Sequence, residues 1–369
     1  MPVEFIGFAA TQEFSEVIPR AGPVIDKDYL RDVVQAHEAG GFDRVLVGHT
    51  SASVDGLQVA SYALSQTQRI KLLLAHRPGF IAPAYAARIF ATFDQFNDGR
   101  VAIHIISGGD DVEQQRDGDY LDHDQRYARS AEFVDILKRI WGADRPIDYE
   151  GVYYRFAGAF SSVKPIQQPH IPIFFGGSSE AAIKVAGQFA DVFALWGESL
   201  AQVRETIARV RAAAVPFGRA DHIQFSLSLR PILGTTEAEA WEKAEHILAR
   251  AKAAQGLNAF YQRGDAPANT GSRRLLDAAA QGRVVDKRLW TEIAALTGAR
   301  GNSTSLVGTR EQIVESLLDY YDLGITHFLI RGFYPLQDAI SYGRDLIPLA
   351  RQAIAARDAS TPAQYVKAG

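Results

Sequence analysis

Short apolar runs alternate with longer stretches of helical period along the 369 residues, and that alternation reads as a succession of βαβ units. Eight candidate strands fall at 4–9, 44–49, 71–76, 101–107, 172–177, 192–196, 225–232 and 327–333. Most are continuously apolar, as expected of parallel strands with helices on one face and packed side chains on the other. The helical period predicts helices near 28–40, 84–96, 127–141 and 336–356. Gly40-Gly41 stops the first, and Pro83 stands at the start of the second, where a first turn tolerates proline. Eight such units without a break in composition predict an α/β fold, a closed (β/α)8 TIM barrel occupying 1–369 as a single domain. An open doubly wound sheet is the second arrangement. It calls for a glycine-rich phosphate turn after an early strand, whereas the first strand here runs into Ala9-Ala10-Thr11-Gln12.

Two stretches interrupt the rhythm. Residues 149–163 read as a small inserted hairpin before the fifth strand, and 251–305 as a long segment with the polar pieces Arg263-Gly264-Asp265 and Gly298-Ala299-Arg300-Gly301-Asn302. A segment of that length over a barrel is a mobile lid or a solvated surface insertion, and the barrel setting favours the lid.

Composition narrows the function classes. At 47% hydrophobic and 22% charged the chain can bury a large core, and a net charge of -4 gives no electrostatic reason to bind nucleic acid or an anionic membrane. Without cysteine there is no disulfide framework, thiolate metal site or cysteine nucleophile. The start Met1-Pro2-Val3-Glu4-Phe5-Ile6 is unlike a signal peptide, and no apolar run approaches the roughly 20 residues of a membrane helix. A soluble, cytoplasmic protein is the expectation. The nine histidines show no HxxxH or HExxH spacing, and no G-x-S-x-G elbow occurs. Glu198 is the best-placed carboxylate for a glycosidase, but standing alone it reads more readily as a plain helix-start residue.

Barrel sites lie at the carboxyl ends of the strands. Those ends present His49, His76-Arg77-Pro78, Ser107-Gly108-Gly109, Gly176 to Ser179, Trp196-Gly197-Glu198, Arg230-Pro231 and Phe333-Tyr334. The strongest local signal is Phe175-Gly176-Gly177-Ser178-Ser179-Glu180, where a strand gives way to a helix. It fits a phosphate cradle of backbone amides and hydroxyls, or an ordinary serine N-cap. Leu121-Asp122-His123-Asp124-Gln125-Arg126-Tyr127 opens the helix after strand four. Its aspartates suit capping, while His123, Arg126 and Tyr127 are potential donors to a phosphate or ring edge. Trp196 walls a pocket or packs the barrel; Arg230, near the end of an apolar strand, meets an anionic ligand or a structural carboxylate.

Taken together, Arg77-Pro78, 90–100, Ser107-Gly108, 121–127, Pro165-Ile166-Gln167-Gln168-Pro169, 175–179, Leu195-Trp196-Gly197-Glu198 and Leu306-Val307-Gly308-Thr309 resemble the bacterial luciferase-like flavin-dependent monooxygenases, in the alkanesulfonate monooxygenase-like branch. The likeness runs from about residue 4 to residue 350. It implies FMN, used as reduced FMNH2 supplied by a separate NAD(P)H-dependent flavin reductase. It also implies O2 as co-substrate and insertion of one oxygen atom into a small organic substrate through a flavin C4a-peroxide. An alkanesulfonate or sulfone is the implied substrate class, and a homo-oligomer, dimer or tetramer, the implied assembly. Gly177, Ser178, Ser179 and Tyr127 would hold the phosphate, and Ser107, His123 and His76 would also belong to the cofactor site. Trp196, Arg230, His49, Arg300 and Tyr334 are the catalytic candidates. The pattern departs from the sulfonate branch: Ser228 and Arg230 replace its arginine and histidine on strand seven, and Ser53 its cysteine. Phe333 and Pro335 replace its tyrosine and histidine, and its lid arginine shifts to Arg300. Alternatives are a deazaflavin-dependent dehydrogenase of the same superfamily and a non-catalytic flavin-binding protein.

Overall fold

A computed structural model describes residues 3–255 and 269–360. Eight parallel strands form a closed ring: β1 (Glu4–Ala9), β2 (Arg44–Val47), β3 (Lys71–His76), β4 (Val101–Ile105), β7 (Ile173–Gly176), β8 (Val192–Trp196), β9 (Gln224–Leu233) and β13 (Ile325–Ile330). The β8–β9 and β13–β1 pairings close it. All eight sequence-predicted strands are present, and the fold is the (β/α)8 barrel.

Helices α1 (Lys27–Ala39), α2 (Gly56–Ser65), α3 (Pro83–Phe96), the short α4 (Asp111–Gln115), α5 (His123–Gly142), α6 (Glu180–Phe189) and α7 (Leu200–Ala214) follow in turn. After them come α8 (Glu237–Ala254), α9 (Thr270–Gln281), α10 (Glu292–Thr297), α11 (Arg310–Asp322), α12 (Pro335–Ser341) and α13 (Ile347–Ser360). Side-chain caps start many of them. Asp26 accepts from Tyr29 N at α1, and capping boxes open α5 (Asp122 with Gln125) and α11 (Thr309 with Gln312). Outward strand residues such as Val45, Leu72, Ile103, Phe175 and Leu227 pack beneath the helices in the main core.

The inserted hairpin is β5 (Ile147–Glu150) with β6 (Arg155–Ala159), close to its expected place. The long segment differs from an irregular lid. Its described part is structured, with α9, the two-residue strands β10 (Val284–Val285) and β11 (Leu289–Trp290), α10, and then β12 (Ser305–Gly308) alongside β9 outside the ring. Trp290, Ile293 and Val307 join a second apolar cluster with α8, and burying that cluster is what orders the segment. The Arg263-Gly264-Asp265 piece lies outside the described residues. The final helix is also not continuous: a π-helical turn at 342–346 separates α12 from α13. There Gly343 passes so close to the Gly40 backbone that any side chain at 343 would collide with it.

Candidate active site

Because strand residues alternate between faces, the register around the ring sorts the inward side chains into layers of four drawn from alternate strands. Ile6, Leu73, Phe174 and Ser226 form one layer, and Leu46, His104, Ala194 and Leu329 the next toward the carboxyl ends. Phe8, Ala75, Gly176 and Ser228 lie above that, with Gly48, Ile106, Trp196 and Arg331 at the rim. The Ile6 layer is sealed. In the His104 layer all four residues are partly accessible, while their outward neighbours Val47, Ile105, Leu195 and Ile330 are buried. The barrel mouth is therefore a hollow that reaches two layers below the rim, floored by the sealed layer. Ala194 in the lower layer and Ala75, Gly176 and Ser228 in the one above are small, which leaves the room.

On one side the hollow meets the glycine–serine corner. Gly176 to Ser179 are partly accessible at the end of β7. Gly177 has φ +133°, and a methyl group there would come within 2.5 Å of the Tyr127 hydroxyl and 2.7 Å of Ala182 Cβ. Only glycine combines that backbone angle with that proximity. Ser179 caps α6 through Ala182 N at 3.2 Å, and the first amides of that helix have no intrahelical acceptor. Tyr127, one turn into α5, lies over this corner beside Ser179. Its ring is flanked by His123 at 4.9 Å and Phe175 at 5.9 Å, and burial raises its hydroxyl pKa. Gly177, Ser178, Ser179, Tyr127 and His123 are thus brought together as expected from the sequence. The arrangement offers backbone and hydroxyl donors at a helix N-terminus, the elements of a phosphate seat.

The other expected cofactor residues are placed differently. Ser107 faces α5 and shares a 2.9 Å hydrogen bond with Ser130. His76 points to the helix side of the wall, with its ring between Phe90 at 5.0 Å and Phe133 at 5.2 Å. Burial lowers its pKa to about 3. Strand parity explains this, since inward Ala75 and Arg77 bracket an outward His76.

Among the catalytic candidates, Trp196 occupies the rim. His49 stands beside Arg77, and its pKa is lowered by burial and by that cation; its Nε2 is buried without a partner among the described residues. Arg77 pairs with Glu113 at 2.8 Å and Asp117 at 3.6 Å, drawing the β4–α5 connection against the end of β3. Arg230 is sealed (1% exposed) in an ion pair with Glu16, donates to Gly332 O at 2.8 Å and lies 3.7 Å over the Phe333 ring. Burial alone would raise the Glu16 carboxyl, but Arg230 and Arg331 outweigh it and hold it low. A narrow crevice of about 20 Å³ runs past Arg230 along the β1–β13 seam, between Phe14, His37 and Tyr342. Tyr334 packs on the second apolar cluster, and Arg300 is exposed beyond α10.

The start of α9 crosses the mouth. A methyl group on Gly271 would be 3.2 Å from the Trp196 ring, and one on Gly109 would be 3.2 Å from Asn269 Cβ. This span is fastened by Arg274, which bridges to buried Glu198 at 2.9 Å and to Glu205 at 3.1 Å, and by Ser272 donating to Ala299 O at 2.8 Å. Glu198, raised by burial despite Arg274, is a fastener of the cover and not a free acid. Asn302 and Thr304 grip the Gly197 amide and carbonyl from the same side.

A family model of luciferase-like monooxygenases matches residues 3–327. The chain belongs to that family. An enzyme of the flavin-dependent monooxygenase type, using a flavin-type cofactor, follows from that membership. Solved structures of this fold include a riboflavin lyase with modified FMN and riboflavin (TM-score 0.79, 19% identity, covering 96% of this chain and 92% of that one). The EDTA monooxygenase of Chelativorans sp. BNC1 is similar at TM-score 0.77 and 18% identity, covering 96% and 94%. An F420-dependent secondary alcohol dehydrogenase matches at TM-score 0.65 and 18% identity, covering 95% and 99%. In this luciferase-like enzyme the sequence reading missed one residue of the hollow, His104. It lies inside strand four, below its end, and the signal was parity: with Ala102 inward, 104 must be inward too.

Proposed function

We propose that this enzyme is a two-component monooxygenase that takes reduced FMN from a separate NAD(P)H-dependent reductase and inserts one atom of O2 into a small organic substrate. The observation that carries the reading is the glycine–serine corner, open to the mouth and continuous with an accessible hollow inside the barrel. The residues fit the cofactor. The α6 amides, Ser178, Ser179 and Tyr127 would hold the phosphate, and Gly177 leaves the close approach that any side chain would block. The hollow between the layers of Phe8 and His104 would take the ring system, with Trp196 at its edge. When bound, reduced flavin supplies the two electrons that activate O2, so that one oxygen atom enters the substrate and the other leaves as water. The protein's part is to orient the ring, to exclude water by the α9 cover, and to offer the substrate a place beside Trp196.

A sulfonate substrate needs a cation facing the hollow. Arg230, the candidate for that task, is buried against Glu16, and Arg331 at the rim is drawn to the same carboxylate at 3.6 Å, which supports an uncharged substrate group, a sulfone included, more than a sulfonate. The test is turnover with photoreduced FMN in air across sulfonates, sulfones and amines, with one oxygen atom from labelled O2 expected in the product. Absence of product throughout would overturn the assignment. A second reading, a deazaflavin-dependent dehydrogenase, is favoured by the likeness to the F420-dependent alcohol dehydrogenase and by His49 beside the mouth. It predicts substrate oxidation under strictly anaerobic conditions, which the monooxygenase cannot perform.

A further inference from the structure

The lower hollow contains one titratable side chain. His104 shares its layer with Leu46, Ala194 and Leu329, above a sealed layer of Ile6, Leu73, Phe174 and Ser226. Neither ring nitrogen has a hydrogen-bonding partner among the described residues, and Nδ1 is fully buried. Nε2, which is not closed off in that way, is the nitrogen a ligand in the hollow can reach; left unpaired once water is excluded it would cost on the order of 1–3 kcal/mol, so its presence there calls for a reason beyond packing. Other buried histidines differ in pairing or in place: His37 Nδ1 has Val33 O at 2.6 Å and His327 pairs with Thr326 and Glu4, while His76 and His49, each with an unpartnered Nε2, lie on the helix side of the wall and at the end of β2, outside the lower hollow.

Its position gives that reason. Gly176 stands between His104 and the corner: a methyl group on Gly176 would lie 3.8 Å from His104 Cε1. A ligand anchored at Gly177 to Ser179 and extending into the barrel passes Gly176 and reaches His104 next. Burial keeps this imidazole neutral, with its pKa lowered to about 4, so near pH 7 it carries one donor and one acceptor nitrogen. A buried heteroaromatic edge with alternating N–H and C=O groups is the complement, because those groups must find partners once water is excluded.

The geometry points to His104 as a binding residue for the polar edge of the flavin ring, pairing from the floor of the hollow while the corner holds the phosphate. This rests on the cofactor reading above. His104 positions the ring and has no part in proton transfer to the substrate.

The experiment compares wild type, His104→Leu and His104→Asn in titrations with FMN, followed by flavin fluorescence and the visible absorbance of the bound ring. The leucine variant should bind about tenfold more weakly with a shifted spectrum, as expected for one lost buried hydrogen bond. The asparagine variant, which keeps a donor and an acceptor, should stay within about threefold of wild type. Wild-type affinity and spectrum in the leucine variant would overturn the inference while leaving the phosphate seat intact. Equal loss in both variants would overturn it too, because packing alone would then explain the effect. A wild-type protein that binds no FMN defeats the cofactor reading and this one with it. Should the leucine variant fail to fold, ¹⁵N-histidine spectra of the wild type decide: the His104 resonance must move on adding FMN, and an unmoved resonance overturns the inference.

Discussion

Two sides of the barrel mouth treat their polar groups in opposite ways. At the β7–α6 corner donors remain available: the Glu180 and Ala181 amides and the partly accessible Ser178 have no partner among the described residues, although Ser179 already takes the Ala182 amide and meets Tyr127. Across the mouth, at the ends of β9 and β13, charge is consumed within the protein. Arg230 and Arg331 both pair with Glu16, and Asp338, raised by burial to about 6, accepts from Tyr334 N at 2.9 Å. Both sides read as ligand sites in the sequence, because both put polar residues at strand ends. The contrast teaches that placement at a strand end does not make a site; a group must also lack an internal partner.

Breaking the buried pair should produce the largest effect. Arg230→Ala strands Glu16 in a sealed environment and should lower the unfolding free energy by about 3–5 kcal/mol in urea titrations. The double variant Glu16→Leu/Arg230→Met should recover most of that loss, and FMN affinity of the folded protein should change little. A stable Arg230→Ala protein that binds flavin and has lost turnover would instead return Arg230 to the catalytic list and erase the contrast.

The corner should show the reverse split. Gly177→Ala forces a side chain into a left-handed conformation against Tyr127, with strain of about 1–3 kcal/mol, and should weaken FMN at least about tenfold in the titration above. Unaltered FMN binding in a folded Gly177→Ala protein would remove the corner from the cofactor site.

The buried histidines set a pH dependence of their own. Burial lowers His37, His104 and His327 to about 4 and His76 to about 3, all below the unfolded value near 6.5. Between those values the unfolded chain binds more protons than the folded one, so stability is complete above about pH 6.5 and is lost as pH falls toward 4. Thermal melts should therefore shift downward from pH 7 to pH 5, and a flat profile would show these rings to be hydrated. The smallest effect is expected at the cap. Ser179→Ala should cost about 1 kcal/mol of stability and reduce FMN affinity a few-fold.

The barrel was legible because most of its strands are near-continuous apolar runs, so the run of eight needed no knowledge of partners. The corner was legible because glycine and serine at a strand-to-helix junction state a backbone geometry locally. Other features required pairings that no local pattern states. Glu16 finds Arg230 only once β1 and β9 share a ring, and α9 crosses the mouth only because Glu198 and Arg274 meet. His76 was misplaced and His104 missed for one reason. Reading strand ends gives height in the barrel, while parity decides which face a side chain enters, and the two histidines fall on opposite faces.

The central claim is that the corner seats a phosphate while the barrel hollow holds its ring. Anaerobic titration with reduced FMN and with reduced riboflavin, which lacks only the phosphate, tests it most directly. The structure predicts FMN to bind at least about tenfold more tightly, a gap of 1.4 kcal/mol or more that closes in Gly177→Ala. Equal affinity for the two flavins in the wild-type protein would contradict it.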